Sequence, residues 1–166
     1  MMKLGRLFRH LFTSDWLRHR AFPAAALQHI EQEIKTGEAA HAGELRFAVE
    51  ASLSGAQVYD DQPTRERAID VFSDLRMWDT DDRNGVLIYL LLADHSVEIV
   101  ADRGIHARVG SAAWEGICQA MEADFKAGRF EDGAIKGVRS VNALLTSHFP
   151  DLELRRNELA DHVVVL

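Results

Sequence analysis

Apolar positions along this chain switch between two periods, and the switches lay out its elements. Leu4, Leu7, Phe8 and Leu11 recur at i, i+3, i+4 and i+7 and predict an amphipathic helix over residues 3–20, with Arg6, Arg9 and His10 on other faces. Pro23 suits a first helical position, where its missing N–H is not needed. It opens a second helix to about Lys35 with Ala26, Leu27, Ile30 and Ile34 inward. Period two then takes over. Leu45, Phe47 and Val49 alternate with Glu44, Arg46, Ala48 and Glu50, predicting a strand over residues 44–53 with one face buried more deeply than the other. Residues 54–63 read as a polar connection. Residues 64–78 return to the helical period through Ala68, Val71, Phe72 and Leu75.

Residues 86–93 and 97–101 are two short apolar runs joined by Asp94-His95-Ser96, the pattern of a β-hairpin with a three-residue loop. A loop holding His106 and Gly110 follows. Ser111 is placed to cap a helix running to about Ala127, striped by Trp114, Ile117, Cys118, Met121 and Phe125. Residues 132–148 form a last long helix, with Gly133 and Gly137 at a spacing that permits close packing, and Pro150 stops it. The tail, residues 151–166, ends in Val163-Val164-Val165-Leu166, an edge strand or a packing contact.

The predicted order is α-α-β-α-β-β-α-α. The first two strands with their crossover helix make a parallel βαβ unit, and the third strand is antiparallel through the hairpin. The expected fold is α/β, a three-layer α/β/α sandwich with a small mixed sheet of three to four strands and helices on both faces. Residues 1–36 read as a helical extension, 37–150 as the domain and 151–166 as a tail.

Strand direction locates the candidate chemistry. Strands one and two begin at the edge where strand three ends, so Glu44, the loop 79–85 and the loop 102–110 should share one rim. Asp94 and His95 should lie at the opposite rim. Carboxylates, arginines and glycines thus converge on one end of an apolar element. Asp79, Asp81, Asp82 and Asp102 are candidate ligands for a divalent cation, calcium or magnesium, because hard cations prefer carboxylate oxygens. The loop is not an EF-hand, since Arg83 stands at its fifth position. The alternative is a solvated acidic turn. Asp82 and Asp102 are either a catalytic or metal-bridged pair, with Arg103 stabilising developing charge, or carboxylates satisfied by Arg83 and Arg103. Arg83 and Arg103 are candidates to clamp a phosphate or carboxylate bidentately, and His106 is a candidate general acid or further anion ligand, with a small phosphorylated molecule or a partner protein as the candidate partner.

Charge and composition narrow the classes. Net charge is −7, but residues 1–20 carry Lys3, Arg6, Arg9, Arg18 and Arg20 against Asp15, so the remainder is −11. An acidic body argues against nucleic acid as a partner. The basic first helix either docks on the domain or a partner protein, or lies peripherally on an anionic membrane surface through Phe8, Phe12 and Trp16. A single cysteine, Cys118, excludes an internal disulfide and a multi-cysteine zinc site, and its position on the Trp114 stripe makes it core. No apolar run approaches a transmembrane helix and no signal peptide is evident, so a cytoplasmic location is expected.

The Arg83-Asn84-Gly85 turn, the apolar strand pair, Asp102-Arg103-Gly104, the Phe-Lys-Ala-Gly step at 125–128 and the Gly133/Gly137 helix together resemble the TPM domain family. The family takes its name from a thylakoid lumen protein, a photosystem II repair protein and an acetylcholine-receptor modulator. The resemblance covers roughly residues 40–150. It implies a compact α/β/α sandwich. It also implies acid phosphatase activity on phosphomonoesters, as described for some members, and calcium binding near acidic loops. Many bacterial members carry a signal peptide and a C-terminal transmembrane segment, and this chain shows neither pattern.

Overall fold

The computed structural model describes residues 4–13, 15–150 and 161–166. Its elements are α1 (Leu4–Phe12), α2 (Asp15–Ala21), α3 (Ala24–Glu38), β1 (Glu44–Glu50), α4 (Gly55–Tyr59), α5 (Thr64–Asp74), β2 (Gly85–Leu91), β3 (Ser96–Ala101), α6 (Arg103–Val109), α7 (Ser111–Lys126), α8 (Phe130–His148) and β4 (Val164–Val165). The sheet order is β3-β2-β1-β4. β1 pairs parallel with β2 from Glu44↔Gly85 to Glu50↔Leu91, and β3 returns antiparallel from Leu91↔Ser96 to Val86↔Ala101. β4 adds a short parallel edge beside Ala48 and Val49; of the tail, residues 151–160 lie outside the described residues.

Alternation in the strands assigns the two faces. Phe47, Val49, Ile88, Leu90 and Ile99 enter a core with Ile30 and Ile34 of α3, Trp114 and Met121 of α7, and Val138, Val141 and Leu145 of α8. Ala48, Leu87, Tyr89, Leu91 and Val100 enter a second core with Val58 of α4 and Ala68, Val71 and Phe72 of α5. This is the expected α/β/α sandwich, with its large helices on one face. α7 and α8 pack closely because Gly133 and Gly137 carry no side chain. A Cβ on Gly137 would lie 2.3 Å from the Met121 sulfur, and one on Gly133 2.8 Å from Asp124 Cβ.

Four local expectations change. Residues 54–63 contain α4, started by a capping box in which the Ser54 hydroxyl accepts from Gln57 N–H and the Gln57 side chain accepts from Ser54 N–H. The loop after β3 is the short helix α6, with Asp102 as its N-cap. Ser111 is the first residue of α7 rather than its cap. Gly110, at φ 81°, takes the cap position because α6 ends only one residue earlier. The N-terminal segment is two helices, not one, and α1 docks with its polar side inward. Arg6 and His10 are its buried residues, whereas Leu4, Phe8 and Leu11 face out.

Specific polar partners hold α1 that way round. Arg6 donates from Nε and Nη2 to Asp94 Oδ2 at 3.0 and 2.8 Å, from Nη1 to Asp61 Oδ1 at 3.0 Å and from Nη2 to the Gln62 carbonyl at 2.6 Å. The His10 Nδ1 accepts from Leu53 N–H at 2.9 Å, so Nε2 carries the proton and donates to Asp94 Oδ1 at 3.1 Å. Burial alone would push the Asp94 carboxyl up, but Arg6 and then His10 outweigh it and hold the group below its ordinary 3.8. A second buried group lies on the same side of the sheet. Glu50 accepts from Arg67 Nε and Nη2 at 2.8 and 3.1 Å and from the Tyr89 hydroxyl at 2.5 Å. Burial and then the Glu50 contact push the Tyr89 hydroxyl pKa up.

Two stability predictions follow from these networks. Glu50→Ala strands a buried guanidinium and a buried phenol and should cost about 3 kcal/mol in urea unfolding, against a smaller loss for Glu50→Gln. Asp94 has a lowered folded-state pKa, so its contribution is present above the unfolded value and is lost as pH falls. Wild type should therefore exceed Asp94→Asn in stability at pH 7, and the gap should close as pH drops below 3.8. A gap indifferent to pH would remove Asp94 as the anchor of α1.

Candidate functional site

The register of the sheet brings the two predicted loops into contact. Asp102 N–H donates to the Gly85 carbonyl at 2.9 Å, and Ile105 N–H donates to the Arg83 carbonyl at 3.2 Å. The loop before β2 is folded on itself. Arg83 N–H reaches the Thr80 carbonyl at 3.2 Å, Asn84 N–H reaches Thr80 Oγ1 at 3.2 Å, and Arg83 takes a left-handed φ of 51°. Gly104 lets the loops close. A Cβ there would sit 2.6 Å from both the Asp82 and Arg83 carbonyl oxygens. The Arg83 carbonyl there already accepts from Ile105 N–H, and the Asp82 carbonyl abuts Gly104 beside it.

Asp102 is 2 % exposed, and its Oδ1 accepts from Arg103 N–H at 2.5 Å as the cap of α6. Asp81, Asp82, Arg83, Arg103 and His106 are exposed. Asp79 is exposed too and lies 3.9 Å from Arg76 Nε. The structure thus brings the Asp82–Arg83 backbone and Asp102 together, and gives Asp79 to an arginine on its own loop. Among the described residues, no group of three or more His, Cys, Asp or Glu side chains is arranged to hold a metal ion.

Sequence reasoning passed over a buried polar atom on this rim. Asn84 is 1 % exposed, and its Nδ2 donates to the Ala42 carbonyl at 2.9 Å, yet its Oδ1 is buried with no hydrogen-bond partner. Leaving a buried amide oxygen unpaired costs about 1–3 kcal/mol. Asn84 was visible only as part of a turn. Its exceptional state depends on Ala42, which arrives from the chain before β1.

A family model described as the TPM domain matches residues 19–144. The chain belongs to the TPM domain family. Among solved structures it is similar to the BA42 protein from the psychrophilic bacterium Bizionia argentinensis. The two are 28 % identical with a TM-score of 0.77, over 87 % of this chain and 95 % of that one. It is also similar to the N-terminal domain of a protein from P. gingivalis, at 16 % identity and a TM-score of 0.48, over 61 % of this chain and 83 % of that one. No curated protein matches it.

Two further groups of this TPM domain lie apart from the loop junction. His106 lines a cleft of about 390 Å³ with Arg65, Glu98, Trp114, Glu115 and Cys118, on the open edge of β3. Burial and then Glu98 push the Cys118 thiol up to about 12, so it is not a nucleophile at neutral pH. At the start of β1, burial, then Asp161 and Glu44, push the Glu38 carboxyl up to about 8. Nothing in the spacing of 38, 44 and 161 marks these carboxylates as neighbours.

Glu38 makes a pH prediction. Its folded-state pKa of about 8 exceeds the ordinary 4.5, so the folded protein holds a proton that the unfolded chain releases. Stability should fall as pH rises from 4.5 to about 8 and level off above. Melting curves of Glu38→Gln should lose most of that slope and show the variant more stable than wild type at pH 9. An unchanged slope would assign the proton elsewhere.

Proposed function

We propose that this TPM domain binds a divalent cation at the junction of the loops before β2 and after β3, and that phosphomonoesters are the ligands of the loaded rim. The observation that carries the reading is the buried, unpartnered Asn84 Oδ1. It lies on the same rim as the buried Asp102 carboxylate and the Asp82 and Arg83 carbonyls. Carboxylate, amide and backbone oxygens form the donor set of calcium and, with more water, of magnesium. Asp82 and Asp102 would supply the charge, and Asn84 and the loop carbonyls the neutral donors. Bound there, the cation would neutralise and polarise a phosphoryl oxygen. Arg83 and Arg103, exposed on either side of the junction, are suited to pair with the remaining phosphoryl oxygens. His106 lines the separate cleft at β3 and has no part in this reading.

Thermal unfolding tests the binding step. A hundredfold excess of calcium, magnesium or manganese over its dissociation constant should raise the melting temperature by about 5–10 °C. Asp82→Asn and Asp102→Asn should lose that rise, and the exposed position of Asp82 keeps its variant folded. Turnover of a generic phosphomonoester should require the cation and fall about a hundredfold in both variants. No cation-dependent shift with any of the three metals would sink the binding claim; binding without turnover would sink the phosphatase claim alone.

A further inference from the structure

The first two helices present an apolar surface that the fold has turned outward. The polar residues of α1 are consumed inside, with Arg6 and His10 held by Asp94, Asp61, Gln62 and Leu53. Opposite that anchor, Leu4 is 63 % exposed, Phe8 51 %, Leu11 66 % and Phe12 78 %, and Trp16 of α2 is 64 % exposed. Phe8 and Phe12 stack against each other with ring centroids 6.2 Å apart, and the Arg20 guanidinium lies 5.4 Å from the centre of the Trp16 ring. Single exposed apolar residues are ordinary, but four on one side of a nine-residue helix are not. The side is not left over from poor docking, because four specific partners fix which way the helix faces.

We infer that this face of α1 and α2 docks on an anionic phospholipid surface, and charge complementarity decides for that occupant. Residues 1–20 carry +4 while the rest of the chain carries −11. Arg6 is spent on Asp94 and Asp61, so the outward-facing cations among the described residues of this segment are Arg9 and Arg20. An anionic bilayer repels the body and attracts only this segment, so contact is both driven and oriented there. Arg20 is exposed against the Trp16 ring, and Arg9, though 3.5 Å from Asp94 Oδ1, keeps 56 % of its side chain exposed. Exposed basic and aromatic residues together are the composition of helices that lie in a headgroup layer. A second copy meeting the same face would set the exposed Arg9 and Arg20 of both copies against each other, which disfavours a symmetric dimer. The face is independent of the cation rim, which lies at the other end of the sheet.

Co-sedimentation of the full chain with vesicles tests the inference. Binding to phosphatidylcholine vesicles containing about a third phosphatidylglycerol should exceed binding to pure phosphatidylcholine by about tenfold and weaken with added salt. The double substitution Phe8→Ser and Phe12→Ser should reduce it about tenfold while leaving the melting temperature unchanged, since both rings are exposed. Arg9→Glu with Arg20→Glu should abolish the preference for anionic vesicles. Equal or absent binding to the two vesicle types overturns the inference. So does binding that the phenylalanine substitutions leave intact. A concentration-dependent dimer abolished by the same phenylalanine substitutions, in place of vesicle binding, would assign the face to a second copy and overturn it as well.

Discussion

β1 and β2 run parallel with Glu44 opposite Gly85 and Glu50 opposite Leu91, and this register separates the molecule into two chemically different ends. Once both strands start at one edge, the antiparallel return of β3 brings Asp102 beside Gly85. The loop before β2 must then pack on the turn into α6, and only a glycine at 104 leaves room for the Asp82 and Arg83 carbonyls. The opposite end receives Glu50 and the hairpin turn with Asp94, and that turn is what captures α1. Slipping the register by one residue would exchange the two cores and break both ends at once.

The central strand β2 carries no such chemistry. Every residue of β2 is buried and apolar apart from the Tyr89 hydroxyl, whose hydrogen bond to Glu50 satisfies it. Buried polar groups therefore gather where strands stop and chain reversals offer partners. At the Asp94 end the carboxylate is matched by guanidinium and imidazole donors, although the neighbouring Gln62 Oε1 is buried without a partner. At the Asn84 end the matching is incomplete, with one amide oxygen unpartnered. Both ends therefore leave a buried acceptor open, and what distinguishes the Asn84 end is the buried Asp102 carboxylate with the Asp82 and Arg83 carbonyls on the same rim.

Strand direction was enough to place the two loops together from sequence, because two apolar runs and a short joint admit few topologies. The long helices α3, α7 and α8 were equally legible in their 3.6 period. The short ones were harder. α4 announced itself only through Ser54 and Gln57 three residues apart, and α6 was obscured because Asp102-Arg103-Gly104 serves as a helix start as well as a loop contact. The state of Asn84 and the meeting of Glu38 with Asp161 were not legible at all. Each depends on a partner from a distant part of the chain, and side-chain periodicity holds no information about such meetings.

α1 shows where a pattern rule reverses. Its apolar stripe at i, i+3, i+4 and i+7 would ordinarily face the core. Here Asp94, 88 residues away from Arg6, decides the orientation. Burying an ion pair is a poor source of net stability, because desolvating both groups offsets most of their attraction. Its stronger effect is selective. A helix turned over would bury Leu4, Phe8 and Leu11 but leave Asp94 without its guanidinium and imidazole and the Leu53 N–H without its acceptor. The polar anchor thus makes the apolar-out arrangement the lower in energy without requiring it to be highly stable. The exposed face is in this sense specified by the interior, and a mutation at Asp94 would alter what the surface of the protein presents.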